Sequence, residues 1–207
     1  MRAPQLFTFL EHCEDSSLEK EILECGAGIW PSLEPLFVRF QERGYVVHGI
    51  DISPERLAAA QQYCTDNHLD VDLRQGDMRQ LPFDDRSISF VYAYNTIFHM
   101  RKSDVAVAMQ EIERVLKPGG LCFVNFLSHA DCGFGTGERV GDGEYAQIEA
   151  GEAVIHSYYD AQEAELYFAA FDLLHKENRL LERWFEDGER LVQGYIDYIG
   201  RKRAVHD

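Results

Sequence analysis

Glu21-Ile22-Leu23-Glu24-Cys25-Gly26-Ala27-Gly28-Ile29-Trp30-Pro31 is the stretch on which the fold turns. Its first five residues read as a short strand that runs straight into a glycine turn. Glycines there let the chain leave the strand sharply and let a ligand approach the backbone, because no Cβ intervenes. Pro31 suits the opening of a helix, where its missing N–H costs nothing. Leu33, Leu36, Phe37 and Phe40 follow at helical spacing toward a core, and Gly44 is a plausible stop.

Helix and strand signals continue on both sides of this stretch. Before it, about Phe7 to Leu18 reads as a short amphipathic helix. After it, Tyr45 to Ile50 forms a second strand ending at Asp51, and Ser53-Pro54 opens a helix that runs to about Asn67. Val71 to Arg74 is a third strand, followed by the turn Gly76-Asp77-Met78. Ser87 to Tyr94 is a fourth. Ser103 caps the next helix, with Val105, Met109, Ile112 and Leu116 on one face, and Lys117-Pro118-Gly119-Gly120 stops it. Leu121 to Phe126 is a fifth strand. Such alternation predicts a parallel sheet covered on both faces.

The pattern then changes. Residues 131 to 143 are rich in glycine, and Glu144 to Tyr159 predicts a hairpin around Gly151. Ala161 to Phe171 reads as a helix. Leu173 to Phe185 and Leu191 to Ile199 read as two strands joined at Asp187-Gly188. The expected fold is α/β: a Rossmann-like, doubly wound, mostly parallel seven-stranded sheet that ends in an antiparallel hairpin. Residues 1–207 form one domain, with 129–159 as an insertion that covers a substrate, since loops at strand ends carry specificity.

Three acidic residues stand at the ends of three successive strands, where open α/β sheets bind ligands. Glu24 sits at the mouth of the glycine turn, with no lysine or arginine between Glu21 and Leu36. A carboxylate there opposes a pyrophosphate and suits a ligand with positive charge. The dinucleotide fingerprint also asks for a third glycine where this chain has Pro31. Asp51 can accept two ribose hydroxyls, although dinucleotide enzymes use an acidic residue in the same way. Asp77 can accept an amino group, with Met78 beside it. The structural alternatives are ordinary turns and a helix entry. Off the fourth strand, Asn95 and Thr96 bring donors and acceptors near the site, and His99 has a pKa naturally near neutrality. His99 can act as a base or simply pack.

Composition bounds the partners. The 207 residues carry a formal net charge of -16, which disfavours nucleic acid and anionic membranes as partners. The five cysteines are odd in number and form no CxxC pair, which points to a reducing cytoplasm and to no disulfide scaffold or zinc site. No metal site is expected. No signal peptide and no membrane span are read, and oligomeric state is left open.

Four segments, in order, resemble the class I S-adenosylmethionine-dependent methyltransferases of small-molecule type. They are Glu24-Cys25-Gly26-Ala27-Gly28, Gly49-Ile50-Asp51-Ile52-Ser53, Gly76-Asp77-Met78-Arg79-Gln80-Leu81-Pro82-Phe83, and Arg114-Val115-Leu116-Lys117-Pro118-Gly119-Gly120. The resemblance implies S-adenosylmethionine as cofactor, held by Glu24, Gly26, Ala27, Gly28, Asp51, Ile52, Asp77, Met78 and Asn95. It implies in-line methyl transfer to a small-molecule acceptor, with His99 as the catalytic candidate and His129, His156, Tyr158 and Tyr159 as further groups near the mouth. A regulatory or inactive protein of the same fold is the alternative. Where the family loop often has another glycine, this chain has Trp30, which crowds the methionine tail or walls the pocket.

Overall fold

Strand β1 (Glu21–Cys25) lies between two parallel neighbours, β2 (Val46–Asp51) and β4 (Ile88–Ala93). The structure, a computed structural model, describes residues 4–30, 33–149, 151–184, 188 and 190–204. With β3 (Asp72–Gln75) and β5 (Leu116–Ser128) the parallel part runs in the order β3-β2-β1-β4-β5. Side chains alternate across it. In β4, Phe90 and Tyr92 enter one core with α1 (Gln5–Glu14) and α2 (Val38–Gln41). Val91 and Ala93 enter the other, against α4 (Lys102–Val115). Burial on both faces is what a central parallel strand requires, and all six β4 residues are buried.

The remaining strands attach to β5. β9 (Phe171–Trp184) and β10 (Arg190–Lys202) form the expected antiparallel hairpin, with β10 inserted beside β5. The predicted turn residue Asp187 lies outside the described residues; Gly188 has φ +86°. Among the described residues the sheet has ten strands, not seven. The three extra strands are β6 (Glu138–Gly141), β7 (Glu144–Glu149) and β8 (Glu152–Tyr159), an antiparallel meander within the expected insertion. It joins β5 through Leu127 opposite Tyr158 and Ser128 opposite Tyr159, beyond the point where β4 has ended.

Several local expectations are corrected. The helix after the glycine loop is only Val38–Gln41, because Pro35 disfavours a helical residue before it; Leu33 and Leu36 lie in irregular chain, and Pro31 falls outside the described residues. α3 (Pro54–Asp66) does start at its Ser53 cap, whose hydroxyl accepts from the Arg56 amide. α4 starts two residues earlier than Ser103 suggested: Arg101 is its N-cap residue, and the Lys102 amide donates to Glu144 Oε1 at 2.7 Å. Lys117 to Gly120 do not separate helix from strand. They are looped out within β5, between the pairs Ile88–Leu116 and Phe90–Leu121. The predicted helix 161–171 is α5 (Ala161–Glu165) plus a single 3₁₀ turn at Leu166–Phe168. No helix among the described residues is long and apolar enough to cross a membrane.

Glu144 ties the meander to the body: it caps α4 and also pairs with Arg101 at 3.2 Å. Glu144→Ala is expected to lower unfolding free energy by about 1–2 kcal/mol, the usual loss for a helix cap, with Glu144→Gln retaining more. Urea denaturation measures this, and an unchanged midpoint in Glu144→Ala contradicts the capping role.

Candidate functional site

The glycine loop is held by β2. The Gly26 and Ala27 amides both donate to the Ile50 carbonyl, at 2.8 and 2.9 Å. Gly26 has φ +88°, and a Cβ there would lie 2.6 Å from Thr96 Oγ1. At Gly28 a Cβ would lie 2.5 Å from Asp51 Oδ2, so only glycine permits this approach. The Gly28 amide instead donates to Asp51 Oδ2 at 2.8 Å, and the Ser53 amide donates to Oδ1 at 2.8 Å. Two amides thus orient the Asp51 carboxylate. Each oxygen keeps a lone pair for a further donor, the arrangement a vicinal diol needs.

Glu24 is 4% exposed and sits between Gly49 of β2 and Tyr92 of β4. The Tyr92 hydroxyl donates to its Oε2 at 2.5 Å. Burial pushes the Glu24 pKa up to about 8, against the lowering effect of Tyr92; the Asp51 charge raises it and the Phe37 backbone lowers it. Uncompensated, this carboxyl holds its proton at neutral pH. An opposite charge placed beside it would reverse that preference.

Two adjoining cavities open at these strand ends. The smaller, about 410 Å³, is lined by Asp51, Ile52, Asp77, Met78 and His99, with Ala153, Val154 and Ile155 of β8. The larger, about 780 Å³, is lined by Glu24, Gly28, Trp30, Tyr94, Asn95, Arg179 and Tyr195, among others. Gly26, Asp51, Thr96 and His99 border both. Of the residues expected to hold the cofactor, Ala27 alone lines neither cavity. It is buried behind the loop, packed so that a Cβ on Gly49 would meet its own at 2.6 Å.

Asp77 stands at the smaller cavity with its carboxylate already engaged. Arg79 Nε donates to Oδ2 at 2.9 Å and the Arg79 amide to Oδ1 at 2.8 Å. Arg79 holds the Asp77 pKa below the usual carboxylate range. Asn95, with φ +54°, interlocks with Asn125: its amide donates to Asn125 Oδ1 at 2.7 Å, and Asn125 Nδ2 donates to Asn95 Oδ1 at 2.6 Å. Part of the His99 side chain reaches solvent, yet desolvation by the cleft wall, with His156 and Arg56 nearby, pushes its pKa down to about 4. It is neutral at physiological pH. Trp30 is 53% exposed, with the Arg56 guanidinium 4.3 Å from its ring centre, so it walls the larger cavity. Tyr158 and Tyr159 are buried, and burial moves both phenols up, Tyr158 to about 12.

Sequence reading missed Asn125 and the buried pair Arg179–Asp197, in which Arg179 Nε donates to Asp197 Oδ2 at 2.7 Å. Arg179 also lies 4.6 Å over the Tyr195 ring at the larger cavity. The signal was a lone acid, Asp197, inside the apolar run Tyr195 to Ile199.

Comparisons with known proteins agree with this architecture. Residues 23–124 match the family model described as a methyltransferase domain. The chain is 39% identical over 82 residues to a demethylmenaquinone methyltransferase of Chlorobaculum tepidum, covering 39% of this chain and 31% of that protein. It is 38% identical over 99 residues to a demethylmenaquinone methyltransferase of Staphylococcus aureus, covering 47% and 38%. The chain thus spans about a third of the length of the curated relatives it matches. Among solved structures, a S-adenosylmethionine-dependent methyltransferase of Methanosarcina mazei superposes with TM-score 0.72 at 18% identity, over 97% of each chain. That likeness speaks to the fold.

The raised pKa of Glu24 makes a stability prediction. Its protonated form stabilises the folded chain fully below pH 4.5, and that contribution is lost as pH rises toward 8. Glu24→Gln cannot titrate. Its melting temperature is expected to exceed that of the unmodified protein by more than about 2 °C at pH 8, with the gap closing toward pH 4.5. Equal melting curves at every pH contradict the burial argument.

Proposed function

We propose that the chain, a member of the class I S-adenosylmethionine-dependent methyltransferase family, transfers a methyl group from S-adenosylmethionine to a small, partly apolar acceptor. The observation that carries the reading is Glu24, a buried carboxyl that only a cationic ligand would ionise, joined to Asp51 across one glycine loop. A phosphate-bearing dinucleotide would meet that carboxyl with the wrong sign.

The residues divide the work as follows. Glu24 takes the ammonium of the methionine tail, and Gly26 and Gly28 give it room. Asp51, held by two amides, takes the ribose hydroxyls, and Ile52 flanks them. Met78 gives the adenine an apolar floor, and Asp77 shares its carboxylate between Arg79 and the adenine amino group. Asn95, locked by Asn125, lines the larger cavity beside Thr96. When bound, the cofactor supplies an activated methyl on a sulfonium. The protein's part is to align the acceptor in line with it and to exclude water, for which orientation supplies several kcal/mol.

The acceptor belongs in the larger cavity, where Trp30, Tyr94 and Tyr195 offer apolar rings and Arg179 a charge. The names of the demethylmenaquinone methyltransferase relatives fit an acceptor of aromatic character. His99, neutral at the junction, offers a lone pair toward that acceptor and is too weak a base to deprotonate an ordinary hydroxyl. The meander, through Ala153 to Ile155, borders the smaller cavity, on the adenosine side of this reading, so within a single domain it would cover the cofactor as well as the substrate expected under 129–159. The charge of -16 disfavours a nucleic-acid acceptor.

Calorimetry tests the reading. The protein is expected to bind S-adenosylmethionine and not NADH, and Asp51→Ala is expected to weaken that binding more than tenfold, about 1.4 kcal/mol. Binding of NADH alone overturns the proposal, and unchanged affinity in folded Asp51→Ala removes Asp51 from the site. Cofactor binding without turnover across a broad acceptor panel favours the regulatory alternative.

A further inference from the structure

The sequence offered no metal-ligand spacing, but folding brings three potential ligands together at the edge of the cleft. They are His99 after β4, His156 on β8 and Glu149 at the end of β7. One ligand atom from each lies within 4.8 Å of the others. His156 Nε2 is 3.1 Å from Glu149 Oε1. The His99 and His156 rings meet edge to face with centres 4.7 Å apart.

Two further observations separate this group from a casual surface cluster. His156 is 5% exposed, and its Nδ1 has no hydrogen-bond partner among the described residues. An ion on Nε2 would leave Nδ1 as it is; what bears on a ligand is that burial fixes the His156 ring with Nε2 turned toward Glu149. The backbones that carry the two histidines are also fixed to each other. The Ser157 amide donates to the Phe98 carbonyl at 2.9 Å, and the Ser157 hydroxyl donates to the Met100 carbonyl at 2.5 Å. The residue after His156 is therefore clamped to the residues on both sides of His99, so the imidazoles are brought together by the fold and not by chance rotamers.

The geometry points to a binding site for a divalent transition-metal ion of the zinc type, held by His99, His156 and Glu149. Ligand atoms about 2.0–2.1 Å from a tetrahedral ion stand roughly 3.3 Å apart. The Glu149–His156 separation of 3.1 Å is already close to that, and the His99 ligand atom lies within 4.8 Å of both. Two imidazoles and one carboxylate suit zinc and its neighbours, whereas magnesium and calcium prefer all-oxygen sets. Three protein ligands leave a position open. His99 borders both cavities, which places the site beside the space for the acceptor. Resting on the methyltransferase reading, the acceptor would carry a hydroxyl, thiol or carboxylate able to occupy the open position.

The test uses the full chain, stripped with a chelator and titrated by calorimetry with Zn²⁺ alone and with Mg²⁺ alone; Co²⁺ absorption provides a second readout. One equivalent of Zn²⁺ is expected to bind, with no Mg²⁺ bound at matching concentration and a tetrahedral-type Co²⁺ spectrum. Glu149→Gln and His99→Asn, both at exposed positions, are each expected to weaken Zn²⁺ binding by more than about 100-fold, beyond the loss seen for partners outside the ligand set. Circular dichroism checks that both variants are folded. Failure of the unmodified chain to bind Zn²⁺, or binding by both variants as tight as that of the unmodified chain, overturns the site and leaves Glu149–His156 as an ion pair. The titration contains no S-adenosylmethionine. A separate S-adenosylmethionine titration of the same stripped protein therefore tells failure of the metal site from failure of the methyltransferase reading.

Discussion

A carboxyl buried at the end of the central strand is the constraint on which the site depends. Glu24 is almost wholly withdrawn from water, because β2 and β4 flank it and it meets only the wall of the larger cavity. Its surroundings offer one hydroxyl and a backbone group, and burial still holds its pKa near 8. A group in this state is a cost to the folded chain and an attraction for a cation. The two facts have one cause. The glycine loop next to it extends the same logic, since Gly26 and Gly28 remove the Cβ atoms that would strike Thr96 and Asp51. Backbone and carboxylates are thereby pre-arranged, so little reorganisation is left for a ligand to impose.

Much of this was legible in the sequence because it is local. A strand that ends in Gly26-Ala27-Gly28, a strand that ends in Asp51 before a Ser53-Pro54 cap, and a turn at Gly76-Asp77-Met78 each announce themselves within a few residues. Alternation and capping placed four of the five parallel strands to within two residues of their observed ends; β5 instead begins five residues earlier, at Leu116, and runs two further. The errors fell where distant residues decide. Pro35 shortened α2, Glu144 replaced Ser103 as the cap of α4, and β6 formed because β7 was there to pair with it.

The least legible features are those assembled from remote segments. Asn125 matters through Asn95, thirty residues away. Arg179 and Asp197 face each other across the β9–β10 hairpin. His99, Glu149 and His156 meet only because β8 docks on β5 and Ser157 reaches the backbone around His99. The meander serves several places at once. It supplies Ala153 to Ile155 to the smaller cavity, a cap to α4, and two of the three residues in the histidine cluster.

The central claim is that Glu24 is protonated in the free protein and ionised by its ligand. Calorimetry of S-adenosylmethionine binding at pH 6.5, in buffers of different ionisation enthalpy, tests it most directly. Linkage predicts release of about one proton per cofactor bound, and none from Glu24→Gln. A binding enthalpy that is the same in every buffer, or equal proton release from the variant, would contradict it.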